Sequence, residues 1–166
     1  MTVQKYQPAA TGAGRIAEAS MSATARSMAA EGSPIKYGKA VKLGTDKEIQ
    51  VKAWDGAAST DIFAGIALNS VTGDLDNDQY LQGNPVSVLK KGTVWVKVSA
   101  DSAGVTAGQK AAVLEDGDFT AAPLSVDTNG VYGVELEGSE YLTSAAAGEL
   151  VMLAINLPST TKVVQL

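Results

Sequence analysis

Side chains able to do chemistry are few in this 166-residue chain, which has 18 Asp and Glu, 13 Lys and Arg, no histidine and no cysteine. Ser-His and Cys-His nucleophile pairs, thiolate or imidazole zinc sites and disulfides are therefore excluded. A metal ion would have to be a hard cation held by oxygen. The best-spaced carboxylates are Asp74, Asp76 and Asp78, in Gly-Asp-Leu-Asp-Asn-Asp-Gln, which have the alternate spacing of a calcium loop. Gln79 stands where that loop needs its turn glycine, and Pro85 where it needs the closing bidentate glutamate. The segment therefore reads as a solvated acidic loop, and so does the cluster Glu115, Asp116 and Asp118. Some carboxylate pair for glycoside chemistry can always be drawn from so many acids. With aromatic residues at only 5%, the stacking platforms that sugars use are missing. No catalytic, metal-ligating or cofactor-binding residue is assigned, and no enzyme is expected.

Two glycine patterns suggest phosphate binding. Gly12-Ala13-Gly14-Arg15-Ile16-Ala17 matches the dinucleotide pattern G-x-G-x-x-A, and Glu31 lies a plausible distance downstream. That chemistry needs a buried strand running into the first glycine and a helix behind it. Gln7-Pro8-Ala9-Ala10-Thr11 occupies the strand position, so a small-residue turn is the expectation. The stretch from Gly32 to Lys39 has five residues between its glycines instead of four, and Ala40 in place of the magnesium-binding Ser or Thr. It is rejected as a phosphate loop.

The net charge of −5 and a pI near 4.7 argue against a nucleic-acid partner, since phosphate backbones need a basic face. The first residues have no apolar signal-peptide core, and no run approaches the roughly 18 apolar residues of a membrane span. The expectation is a soluble protein made in the cytoplasm, with no membrane partner.

The elements that must position any site fall into two textures. Residues 1–33 are rich in Ala, Ser, Thr and Gly, and Ile16 is the only branched aliphatic after Val3. Helix propensity is fair over 15–30, but Ile16, Met21 and Met28 share no helical face. This stretch is expected to be an arm, extended or partly helical, that orders against something else. From residue 34 to 166 the pattern is a β domain of short strands and glycine-marked turns. Residues 37–43 and 48–54 flank Gly44-Thr45-Asp46-Lys47 as a hairpin, with Ile49, Val51 and Ala53 on one face. Further strands are expected at 62–69, 85–90, 93–99, 109–114, 118–120, 130–136 and 149–157, with an edge strand at 162–166. In 93–99, Val94, Val96 and Val98 face one side, and Thr93, Trp95 and Lys97 the other. Such a chain is mainly β, a small β-barrel or sandwich.

One family shares this succession of elements. Tyr37-Gly38-Lys39-Ala40-Val41, Phe63-Ala64-Gly65-Ile66-Ala67 and Tyr80-Leu81-Gln82-Gly83-Asn84-Pro85-Val86-Ser87-Val88 come first. Lys91-Gly92-Thr93-Val94-Trp95-Val96 and Val105-Thr106-Ala107-Gly108-Gln109-Lys110-Ala111 follow. Together they resemble the structural cement, or capsid decoration, proteins of tailed bacteriophages, over residues 34–157 plus an Ala/Gly-rich arm. The resemblance implies a β-rich, commonly trimeric protein on the outer surface of the expanded head, bridging major capsid protein subunits without catalysis. It carries no site residues across.

The residues themselves offer the arm as the contact element. Val3, Tyr6, Pro8, Arg15 and Ile16 are the candidate capsid or inter-subunit contacts, within an arm stretch of residues 2–20. An arm residue burying about 100 Å² of apolar surface contributes roughly 2.5 kcal/mol before ordering costs. Repetition in a homotrimer multiplies such modest contacts. The alternative is a virion-surface or tail-associated β domain that binds a host glycan or receptor; exposed aromatic clusters would mark it, and the chain has few aromatics.

Overall fold

The computed structural model describes residues 12–17, 23–32 and 34–166. Among these residues every regular element is a β-strand, so no helix is long and apolar enough to cross a membrane.

Five strands form a closed barrel. β1 (Thr24–Ala30) pairs parallel with β4 (Gln50–Ala53), which pairs antiparallel with β3 (Ala40–Leu43). β3 pairs with β5 (Phe63–Ala67), β5 with β7 (Pro85–Lys97), and β7 returns to β1. Four barrel strands send alternate side chains inward, Met28 and Ala30, Val51 and Ala53, Val41 and Leu43, Val86 and Val88, while β5, irregular opposite Val41 and Lys42, sends Ala64 and Ala67. Small and β-branched residues suit so narrow an interior. One end is plugged by Ile35, Tyr37 and Tyr80, which belong to the ribbon of β2 (Ile35–Lys36) with β6 (Gln79–Tyr80) and the turn beside it. The two tyrosine rings meet edge to face at 5.1 Å.

The remaining strands build a second layer. The latter half of β7 pairs with β12 (Leu150–Asn156), and β12 with β11 (Ser139–Tyr141). A separate sheet has the order β13-β10-β8-β9, from β13 (Thr161–Gln165), β10 (Tyr132–Leu136), β8 (Ala111–Val113) and β9 (Phe119–Ala121). The second core lies between them and the outer face of the barrel, where Ala40, Phe63, Ile66, Leu68 and Leu89 meet Val94, Val96, Val98, Phe119, Leu136, Tyr141 and Leu153.

Several expectations take a different form. The helical reading of residues 15–30 gives way at Thr24–Ala30 to a barrel strand with Met28 and Ala30 buried. Pairing on both sides of β1 outweighs an alanine-rich helix propensity that has no apolar face to bury. Ile49 does not share the inner face of Val51 and Ala53: β4 begins at Gln50, and Ile49 is 57% exposed. Trp95 and Thr93 are buried along with the valines, because β7 is covered on both faces here, Trp95 lying across from Met152. Lys97 alone of its face remains in solvent.

Candidate functional site

Residues 14–17 of the arm are tied to the body through an isolated bridge to β7. Gly14 donates its N–H to the Trp95 carbonyl at 2.8 Å, Trp95 donates to Arg15 O at 2.9 Å, and Ala17 donates to Thr93 O at 3.0 Å. With Ile16 opposite Val94 in this antiparallel bridge, the backbone groups of Ile16 face away from β7. At the other end Asn69 donates to the Gly14 carbonyl at 2.9 Å. A Cβ on Gly14 (φ +76°) would lie 2.7 Å from Gly38 N, and one on Gly38 would lie 2.7 Å from Gly14 N. One glycine of each phosphate-like pattern, Gly14 and Gly38, thus lets the arm approach the barrel backbone. Neither pattern has its required geometry: the first turns at Ala13-Gly14 and then makes a single bridge at Ile16, and Ile35–Lys36 of the second lies in β2.

Beside this contact lies a groove of about 610 Å³ lined by Arg15, Ile16, Leu68, Asn69, Ser70 and Ser87. The structure therefore brings two of the candidate contacts, Arg15 and the 45% exposed Ile16, to the plugged end of the barrel. Val3, Tyr6 and Pro8 lie outside the described residues.

The acidic loop over residues 70–78 forms the rest of that pole. Tyr37 Oη donates to Ser70 O at 2.9 Å, Thr72 Oγ1 donates to Pro85 O at 2.9 Å, and Asp74 and Gln79 exchange backbone bonds at 2.6 and 3.1 Å. Gly73 sits so close beneath Tyr37 that a Cβ there would be 2.2 Å from the hydroxyl. Asp74 is occupied within the loop, accepting from Asn77 Nδ2 at 2.8 Å and from the Asp76 N–H at 3.2 Å. The Asn77 bond leads in holding its carboxyl below the usual range. Among the described residues no group of three carboxylates is placed to hold a metal ion.

What this pole offers is exposed apolar surface. Val71 is 85% exposed, Leu75 56% and Leu81 44%, on two loops tied together by the Thr72–Pro85 bond. These side chains were passed over in the sequence, where an apolar residue inside a polar loop has no periodicity to mark it.

The other charged clusters serve the fold. Lys42, nearly buried, donates to Asp55 at 2.6 Å and Asp61 at 2.8 Å. Lys39 pairs with the buried Asp118 at 2.8 Å and donates to Asp116 O at 3.0 Å, tying the barrel to the second layer. At the far end of the barrel, Lys90 and Arg26 donate to the carbonyls of Ala64 and Glu48. Burial, and then the Arg26 charge, lower the Lys90 pKa.

Comparison with known proteins adds the following. The family model described as structural cement protein (E217 gp24/Pam3 gp6) matches residues 1–156. Among solved structures, a chain from the capsid of Myoviridae phage XM1 superposes with a TM-score of 0.67 at 18% identity, covering 94% of this chain and 95% of that one. At that identity the likeness shows a shared fold. No curated protein matches the sequence.

Proposed function

Since the chain belongs to the structural cement protein family of phage capsids, with a place on the virion capsid and a structural role, we propose that it binds the outer surface of the expanded head and bridges neighbouring major capsid protein subunits. The observation that carries this reading is a rigid, closed barrel with exposed apolar residues gathered at one pole and an arm anchored at that same pole. A closed barrel has no free backbone edge to offer, so its contacts fall to side chains on its poles and to any attached chain. The first described residue, Gly12, lies two residues before the Gly14 contact and the groove lined by Arg15 and Ile16. Fully extended at about 3.3 Å per residue, residues 2–11 would span roughly 33 Å, enough to cross a seam between subunits. On this reading Val3, Tyr6 and Pro8 lie against the shell or a neighbouring cement subunit, and assembly as a homotrimer would present three arms together.

The test uses undecorated, expanded heads and the purified protein, with saturation followed by sedimentation. Cementing predicts saturation at a fixed number per head and a raised temperature of head disruption. Deleting residues 2–11 leaves the bonds of residues 14–17 to β7 in place; it should weaken binding by about tenfold, the loss of roughly 1.4 kcal/mol of arm contact. A truncated protein that binds like the full chain would remove the arm from the mechanism.

A further inference from the structure

Resting on that reading, we propose that the barrel pole formed by the 70–78 loop and the 81–84 turn is the docking face, and that its counterpart on the shell is an apolar surface bearing Lys or Arg side chains. Val71, Leu75 and Leu81 supply the apolar contact, and Asp76 and Asp78 the acidic rim.

The pole is presented already ordered. The bonds from Tyr37 to Ser70 and from Thr72 to Pro85, with the Asp74–Gln79 closure, hold the loop in one shape. Docking therefore costs little loop ordering, which is a main cost of association. The barrel also exposes isoleucines, at Ile49, whose carbonyl accepts from Ala29, and at Ile62 before β5, but there the neighbouring Lys42 and Lys52 are already paired with Asp61 and Glu31. At the proposed face Asp76 and Asp78 are exposed and form no ion pair among the described residues, while Lys36 is bonded to Asn77 O.

Charge selects the occupant. Two copies of this chain meeting pole to pole would bring these aspartates together, and like charges facing one another across an interface oppose association. A partner with basic side chains around an apolar patch gains at both places. Exposed rim charges act mainly on the association rate and are screened by salt, so the charged half of the contact has its own signature.

The experiment measures binding of the full-length protein to undecorated expanded heads at low and moderate salt, with thermal melts to confirm each variant is folded. Val71→Asp/Leu75→Asp should weaken binding at least about tenfold at both salt concentrations, as loss of apolar anchors does. Val71→Ser/Leu75→Ser gives the same direction without added charge. Asp76→Lys/Asp78→Asn should weaken binding several-fold at low salt only and flatten the salt dependence; Asn suits Asp78 because its φ is +50°. Ile62→Asp, just before β5 and bonded to Leu43 at the other end of the barrel strands, should bind like the parent protein. If the parent binds and the pole variants bind equally well, the docking face is overturned and the cement reading stands. If the pole variants instead change the oligomeric state of the free protein, the occupant is a second copy and the proposal falls. Binding strengthened by Asp76→Lys/Asp78→Asn overturns the basic counterpart. Failure of the parent protein itself to bind removes the cement reading, and this proposal with it.

Discussion

The barrel and the β13-β10-β8-β9 sheet meet the same difficulty, the unpaired backbone of an outer strand, by different means. In the barrel each of β1, β4, β3, β5 and β7 has a neighbour on both sides, so its edges vanish by closure. The second sheet is open and must be covered. Ser99 donates to Phe119 O at 2.8 Å, which guards β9, and Asp127 donates to Gln165 O at 3.1 Å, which guards one end of β13. Closure leaves the barrel's poles free to carry exposed apolar side chains without exposing a strand edge beside them. The open sheet contributes a larger hydrophobic core, and its layer packs against the outside of the barrel. The proposed contact surface and the bulk of the stabilising packing are therefore drawn from different regions.

The comparison breaks most sharply at Gly65. It sits at the register shift where Val41 and Lys42 of β3 face Gly65 and Phe63, with φ at +148°, and a Cβ would lie 2.3 Å from Leu89 O on β7. Backbone cannot yield there as a side chain tip can. Gly65→Val should destabilise the protein by about 3 kcal/mol or more, combining an unfavoured φ with a clash inside the ring. Urea titration measures it, and a loss below about 1 kcal/mol would show that the ring adjusts.

Next in size is a cavity in each core. Leu153→Ala, at a fully buried position in the second core, should cost about 3 kcal/mol, whereas Val88→Ala inside the barrel removes less volume and should cost about 2 kcal/mol. If both variants lower the urea midpoint with an unchanged slope, barrel and second layer unfold as one unit. A reduced slope in one of them would separate the two regions.

The sequence was most legible where periodicity and turn chemistry agreed. The hairpin of β3 and β4 around Gly44-Thr45-Asp46-Lys47, the apolar run of β12 and the edge strand β13 all carry their own local signal. β1 does not, because Thr-Ala-Arg-Ser-Met-Ala-Ala favours a helix locally and becomes a strand only between two partners distant in sequence. The two-residue strands of β2 and β6 are too short to show any period. At the site, the turn-rich, acidic composition of residues 70–78 made a surface loop readable, and Asp76 and Asp78 are exposed there. The exposure of Val71, Leu75 and Leu81 was not readable, since an apolar residue reports its burial only through the tertiary fold. The roles of Gly14 and Gly38 likewise depend on a contact between segments that no local pattern connects.

The smallest expected effect, within about 1 kcal/mol for partly exposed pairs, distinguishes the regions by pH. Asp118 links the two layers, and its pKa is raised: burial dominates, and Lys39 only partly offsets it. The folded state takes up this proton more readily than the unfolded chain, so the penalty is full above the folded pKa. It is relieved as pH falls toward the ordinary carboxylate range near 4. Asp55, on the barrel, behaves oppositely. Burial pushes its pKa up, but Lys42 and the Ala57 N–H outweigh that and hold it below the usual value. Its contribution is present above the unfolded pKa and is lost as pH falls through the lower, folded one. Lys42 is held charged by its two carboxylates against the cost of burial, so its own contribution fails only on the alkaline side, as pH rises through its raised folded pKa. Thermal midpoints measured on descending pH should therefore show a shallow gain from Asp118 before the acid loss to which Asp55 contributes. Asp118→Asn should remove the gain, and Asp55→Asn should blunt the loss. A gain that persists in Asp118→Asn would assign it to another group and leave the junction between the two layers insensitive to acid.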